Sequence, residues 1–267
     1  MVTQERVVPL ESCFNFRDIG GYAGLHNRRV RWGHLYRSMT PEHMTQADAT
    51  SAQRLDIGLV IDFRGYRYTS SGPIGEPPAR RITPAPEFVH ETTNLPPDIV
   101  ALMAAPPDEA LPRLLAAYGP AFAEAVTAMS GDVGANVLFH CRLGKDRTGV
   151  FAALLLKLLR VRDTDVIEDY MLTGPEETAM KRFLSGVEDA VDAREPRVAR
   201  EPVDRRAIEC VLERLESQYG TAYNYFLRHG VASSALDRVI DSLLEHPSQT
   251  PGDTECIGLP LAAIGHN

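Results

Sequence analysis

The sequence predicts a single α/β domain with a helical C-terminal part. Two short apolar runs, residues 59–63 (LVIDF) and 136–140 (NVLFH), have the length and content of buried strands in a parallel sheet. After the second run and a sharp loop, residues 148–159 form a nearly all-apolar helical segment that belongs in the core. The last third of the chain carries helical spacing throughout and no strand signal.

Composition agrees with this class. The 267 residues are 44% hydrophobic and 24% charged, the balance of an ordinary globular protein. A chain of this length can bury a full core without disulfides or structural metal. The expected domain spans 1–246, with its helical part at about 175–246. Residues 247–267 hold Pro and Gly without periodicity and read as a mobile tail. A formal charge of −8 argues against a nucleic-acid binder with a broad basic surface. The N-terminus has no apolar core of a secretory signal. The longest apolar run, 150–156, falls short of the roughly 20 residues of a membrane span. A cytoplasmic protein without an integral membrane segment is therefore expected.

Residues 14–38 read as β-structure with tight turns at Gly20, Gly21 and Gly24, and 29–38 as a short strand pair. A helix is expected from Pro41 to about Leu55, capped by Thr40 and closed by Gly58. Residues 65–80 are loop-like, and 81–90 hold another strand, weakened by Pro84 and Pro86. From 108 to 129 apolar residues recur at helical spacing, with Gly119-Pro120 kinking or splitting the segment. Later helices are expected over 164–172, 175–192, 202–219, 223–228 and 234–245.

Four cysteines, Cys13, Cys141, Cys210 and Cys256, stand far apart with no C-x-x-C spacing. Neither a zinc site nor a disulfide framework is expected. Cys141 differs from the rest by its setting, HCRLGKDRTG, between a strand and a helix. Open α/β sheets bind ligands at such junctions, and a helix N-terminus offers unpaired N–H groups to an anion. A helix N-terminus with cationic neighbours lowers a thiol from about 8.5 to roughly 3.5–7.5, making it a nucleophile without a separate base. Arg147, separated from Cys141 by five residues, can hold two oxygens of a tetrahedral anion in its planar fork. Gly144 allows the backbone to turn Arg142, Leu143 and their neighbours into a nest of inward N–H groups. Thr148 can donate a hydrogen bond to the sulfur, and Lys145 adds positive charge at the rim. A Walker A loop is excluded, because it would need Gly at 139 and Ser or Thr at 146, where Phe139 and Asp146 stand. No second His follows His90-Glu91 at zincin spacing, so no metal or cofactor is expected.

This loop resembles the signature of the cysteine-dependent phosphatases, and more narrowly the bacterial and fungal tyrosine-phosphatase-like family with H-C-x-x-G-K-D-R-T-G. The stretch NFRDIGG at 15–21 is similar to that family's N-terminal motif. YRS at 36–38 and IDFR at 61–64 resemble its Y-R-S and D-L-R motifs, with Phe63 replacing Leu. IEDY at 167–170 is a weaker match to a helix that follows the loop. The resemblance implies a phosphatase-like three-layer sandwich, a central mostly parallel sheet with helices on both faces. It also implies two-step hydrolysis through a phosphocysteine on Cys141, with Arg147 and loop amides neutralising the transferred group.

The general acid has two candidates. Asp146 lies in the loop itself and is favoured. Asp62, at the carboxyl end of its strand, is second, with an arginine-orienting role as the alternative. Glu76, Glu87, Glu91 and Asp98 occupy the stretch where relatives place a separate acid. His140 is read as support for the loop, and Asn15, Arg17 and Asp18 as structure of the first turn. Arg142 and Lys145, with Arg64 and Arg67 nearby, point to an anionic, phosphorylated substrate. Phosphotyrosine protein and phosphoinositide come first, with a small phosphorylated metabolite as the alternative. A non-catalytic phospholigand module would need neither Cys141 nor Asp146. A reductase on a similar loop would need a resolving cysteine beside Cys141.

Overall fold

The computed structural model describes residues 6–65, 70–86, 97–187 and 201–245. Among them, strands β1 (Arg17–Asp18), β2 (Leu35–Ser38), β3 (Ile57–Asp62), β4 (Arg80–Ile82) and β5 (Asn136–His140) form one sheet in the order β1-β2-β5-β3-β4. Only β1 runs antiparallel, against β2; the other pairings are parallel. The helices are α1 (Gln46–Gln53), α2 (Pro97–Ala104), α3 (Pro107–Ala117), α4 (Gly119–Gly131), α5 (Asp146–Leu158), α6 (Asp163–Met171), α7 (Gly174–Val187), α8 (Arg205–Tyr219), α9 (Ala222–Arg228) and α10 (Ser233–Leu243). The α/β class and the mostly parallel sheet flanked by helices are as the sequence predicts.

Strand side chains alternate between two faces. Leu35, Leu59, Ile61, Val137 and Phe139 enter the larger core, with α3, α4, α5 and the C-terminal helices α8 to α10. Tyr36, Val60 and Leu138 point the other way, into a smaller core with Phe16, Met39, Ala52 of α1 and Met180 and Leu184 of α7. A register shift between Ile57 and Leu59 puts Ile57 on this second face as well. Both faces are covered, which explains why β3 and β5 read as continuous apolar runs rather than alternating ones. Helix α5 is buried on all sides from Val150 to Leu156, so its N-terminus is held rigidly under the sheet's carboxyl edge.

Several boundaries differ from expectation. The segment after Thr40 is a single tight turn, Pro41–His43, followed by α1 with its own cap, Thr45, whose side chain accepts from the Asp48 N–H. Gly58 lies inside β3; the chain reverses instead at Asp56, with φ of 48°. The expected pair within 29–38 is replaced by β1 against β2, because the turn glycines bring 17–18 beside 36–37. The expected strand over 81–90 is the three residues of β4, and 87–90 lie outside the described residues. Tyr118 separates α3 from α4, as Gly119-Pro120 foretold. Helix α2 was not expected from the sequence; Pro97 sits at its first position, where a missing N–H costs nothing. The expected end of helix 175–192, residues Arg67, Glu87 and Glu91, the Asp98 side chain and the tail 247–267 lie outside what the structure describes. Among the described residues no helix is long and apolar enough to cross a membrane.

Candidate active site

Strand β5 lies between β2 and β3, and Cys141 follows directly from its carboxyl end. Helix α5 begins at Asp146, two residues earlier than the apolar run announces, so Asp146, Arg147 and Thr148 occupy its first turn. Residues 141–145 therefore form a short crossing between a buried strand end and a buried helix start. Cys141 itself is buried.

The loop's carbonyls are held from outside. The Thr40 N–H donates to Arg142 O at 2.9 Å. Asn15 Nδ2 donates to Leu143 O at 3.3 Å and to Gly144 O at 2.9 Å, and Arg37 Nη2 donates to Gly144 O at 2.8 Å. A peptide whose C=O is drawn outward turns its N–H inward, which is how a nest for an anion is made. Asn15 and Arg37 stand in the N-terminal and Y-R-S motifs, and neither was assigned a loop contact from sequence. Their motifs signalled importance, but a contact across more than a hundred residues leaves no local signature.

Gly144 has φ of +63°, and a Cβ there would lie 2.2 Å from Ser38 O. Both facts exclude a side chain, and Ser38 is the last residue of β2. Gly144→Ala should push the loop off β2 and lower kcat/KM by about 10²-fold, the cost of displacing catalytic groups by an ångström. Steady-state assay of the folded variant checks this. Gly149 serves packing instead, since a Cβ there would meet the Tyr170 ring at 2.7 Å.

Within the first turn of α5, Asp146 is buried, and its Oδ1 has no hydrogen-bond partner. Burial pushes its carboxyl above the ordinary value, against the pull of Lys145 and Arg147. Thr148 Oγ1 is likewise buried without a partner. Two orphaned polar atoms on one turn are costly unless they serve a ligand or reacting group. Arg147 Nη1 donates to Phe63 O at 2.9 Å, and its guanidinium lies 6.0 Å from the Tyr118 ring centroid. Phe63 is itself fixed by edge contacts with Phe151 and Phe122 at 5.0 and 5.3 Å. Tyr118 reads in sequence only as a core residue of a helix; the break between α3 and α4 places it beside Arg147.

Lys145 is not at the rim as expected. Its side chain is buried, with Nζ donating to Glu177 Oε1 at 3.1 Å and Glu201 O at 2.6 Å. Arg64 is held by carboxylates. It pairs with Asp62 through Nε (3.0 Å) and Nη2 (2.9 Å), with Ser70 O, and with Glu42. Asp62, fully buried, accepts further bonds from Ser71 Oγ at 3.0 Å and Arg81 Nη2 at 2.7 Å. Burial alone would raise this carboxyl, but His140, Arg64 and Arg81 outweigh it and hold the group below the ordinary carboxylate range. Burial pushes the His140 imidazole down to about 4, so the ring is neutral; it bonds Ser71 Oγ at 3.0 Å. The Asp62 cluster thus ties the ends of β3 and β5 together. No group of three or more His, Cys, Asp or Glu among the described residues is placed to hold a metal ion.

Cys141 at the end of β5, a loop with carbonyls held from outside and Arg147 in the first turn of α5 thus meet at the carboxyl edge of a mostly parallel α/β sheet. Comparison with known proteins places the chain: the model of the Tyrosine phosphatase family matches residues 8–245, and the chain belongs to that family. It is 34% identical over 196 residues to a Cupriavidus necator protein named "Putative tyrosine-protein phosphatase", covering 68% of this chain and 70% of that one. It is 31% identical over 158 residues to a "Tyrosine-protein phosphatase" of Nostoc commune, covering 53% and 51% respectively. The family and these relatives support phosphatase activity.

Proposed function

We propose that this phosphatase hydrolyses phosphomonoesters through a phosphocysteine on Cys141, with Asp146 as general acid. Cys141 Sγ attacks phosphorus, and the bond to the leaving oxygen breaks as Asp146 delivers its proton there. Water then attacks the phosphocysteine, the sulfur leaves as thiolate, and the Asp146 carboxylate takes the water's proton. Arg147 and the inward amides of 142–147 carry the charge on the transferring oxygens. Thr148 Oγ1 donates to the sulfur when it leaves. The observation that supports this most is the orphaned Oδ1 of Asp146, on the same turn as Arg147 and one short loop from Cys141.

Asp62 takes the alternative role from its pair of sequence readings. A carboxylate that accepts from two arginines and a serine has no proton to give, so it orients Arg64 and the strand end. Lys145 acts through Glu177 rather than on the phosphate directly.

Phosphotyrosine in protein is the leading substrate, in line with the names of the two relatives. A phosphate-release screen over phosphotyrosine peptides, phosphoinositides, nucleotides and sugar phosphates tests it. Preference for sugar phosphates or nucleotides would replace it with a metabolic substrate. Turnover is expected to persist in excess EDTA, since Arg147 supplies the positive charge that a metal would otherwise bring. Loss in EDTA with recovery on adding Mg²⁺ or Zn²⁺ would contradict this part.

A further inference from the structure

Behind the phosphate loop lies a buried ion triad with no part in the chemistry above. Arg17, Arg37 and Asp169 are each at most 2% exposed. Arg37 Nη1 meets Asp169 Oδ2 at 2.7 Å, and Arg17 meets Asp169 through Nε at 3.2 Å and through Nη2 to the backbone carbonyl at 2.7 Å. Arg17 also donates to Asn15 Oδ1, which in turn accepts from Thr173 Oγ1 at 3.2 Å. The chain of contacts ends on one atom, Gly144 O, reached by both Arg37 and Asn15.

Stability does not account for this arrangement. Buried ion pairs are often replaceable by apolar residues of similar volume without loss. Two guanidinium groups sharing one carboxylate leave an uncompensated positive charge. Arg37 Nε, moreover, is buried without a hydrogen-bond partner. The side chain is held at its two ends, Asp169 and Gly144 O, at the expense of its middle. Burial and the neighbouring Arg17 pull Arg37 down to about 10, still protonated at neutral pH.

We propose that Asp169 and Arg37 are positioning residues that set the phosphate loop from behind: Asp169 on α6 fixes Arg37, and Arg37 draws the Gly144 carbonyl outward so that the loop amides face the anion and the Cys141 sulfur. The inference rests on the reading of Cys141 as nucleophile. Helix α6 thereby becomes part of the reactive loop's support, with Tyr170 packed on Gly149 next door.

Arg37→Lys keeps the charge and can still reach Asp169, but a single ammonium cannot hold both Asp169 and Gly144 O in the same geometry. Three readouts are compared with wild type: thermal midpoint, kcat/KM on nitrophenyl phosphate, and the rate of Cys141 alkylation by iodoacetamide at fixed pH, resolved from Cys13, Cys210 and Cys256 by peptide mass mapping. In Arg37→Lys the alkylation rate should fall about 10-fold. Its kcat/KM should fall about 10- to 100-fold. Leu236→Ala, a truncation in the apolar core on α10, should lower the thermal midpoint at least as much and leave the other two readouts in place. If Arg37→Lys loses thermal stability but keeps the wild-type alkylation rate and kcat/KM, the triad is structural only and the proposal is overturned. If Arg37→Lys does not fold, Asp169→Asn decides: it keeps the side-chain size and Arg37 itself but removes the carboxylate that fixes the guanidinium. Slower alkylation and a lower kcat/KM support the proposal, and unchanged values overturn it. Turnover kept in Cys141→Ser would instead refute the nucleophile reading, and the positioning role would fall with it.

Discussion

Cys141→Ser is expected to abolish turnover, by on the order of 10⁶-fold as for removal of a nucleophile in other covalent hydrolases. Phosphate and vanadate should still bind. The two halves of this result have separate physical origins. In the proposed mechanism the nucleophile is one sulfur atom, and a serine hydroxyl at the same place keeps a high pKa that no helix N-terminus brings near neutrality. The proposed anion site is made of other atoms: the loop amides, whose carbonyls are held by Thr40, Asn15 and Arg37, and the Arg147 fork. Titration of the variant with vanadate by calorimetry, beside a phosphate-release assay, measures both. Retained turnover in the serine variant would remove the phosphocysteine from the account.

Asp146→Asn should cost about 10²–10⁴-fold in kcat on alkyl phosphates, the usual worth of a positioned general acid. On nitrophenyl phosphate, whose phenolate leaves without help, the loss should be much smaller. The dependence of kcat on leaving-group pKa should therefore steepen in Asp146→Asn and stay as in wild type in Asp62→Asn. The pH dependence follows from the direction of the shift. Asp146 donates only while protonated, and burial raises its pKa above the ordinary carboxylate value. Activity on alkyl phosphates should fall as pH rises through that raised value, and this alkaline limb should vanish in Asp146→Asn. Asp62 is shifted the opposite way and is ionised across any working pH, so its removal should loosen the β3 end without changing the limb. A steeper leaving-group dependence in Asp62→Asn, with Asp146→Asn unchanged, would exchange the two roles.

What the sequence made legible was whatever is written locally. The strands at 57–62 and 136–140, the loop with Cys141 and Arg147 and the all-apolar α5 are each set by neighbours a few residues away, and their spacing carries the information. The helix start at Asp146 was missed because Asp146 and Arg147 are polar and interrupt the apolar periodicity. The sequence favours Asp146 over Asp62 from its place in the loop alone. The surroundings of Asp62 do not show there: they depend on Arg81, 19 residues away, and on Ser71 closing around it. Lys145 looked like a rim charge because Glu177, 32 residues on, gives no sign in the loop's own pattern that it will take up the ammonium. Asp169 reaches Arg37 across 132 residues, a contact only the folded sheet and α6 create. The residues proposed to act on the substrate are thus visible as a motif, whereas those that hold the motif in shape are visible only as unexplained likeness.

The most direct test of the central claim is to stop turnover of a phosphotyrosine peptide or nitrophenyl phosphate in acid within the first turnovers, then map the peptides by mass. The account predicts a single phosphoryl adduct on the peptide containing Cys141, accumulating further where hydrolysis of the intermediate is slowed, and absent from Cys141→Ser. A phosphoryl adduct on any other residue, or full turnover with none trapped on Cys141 under conditions that preserve phosphocysteine, would contradict it.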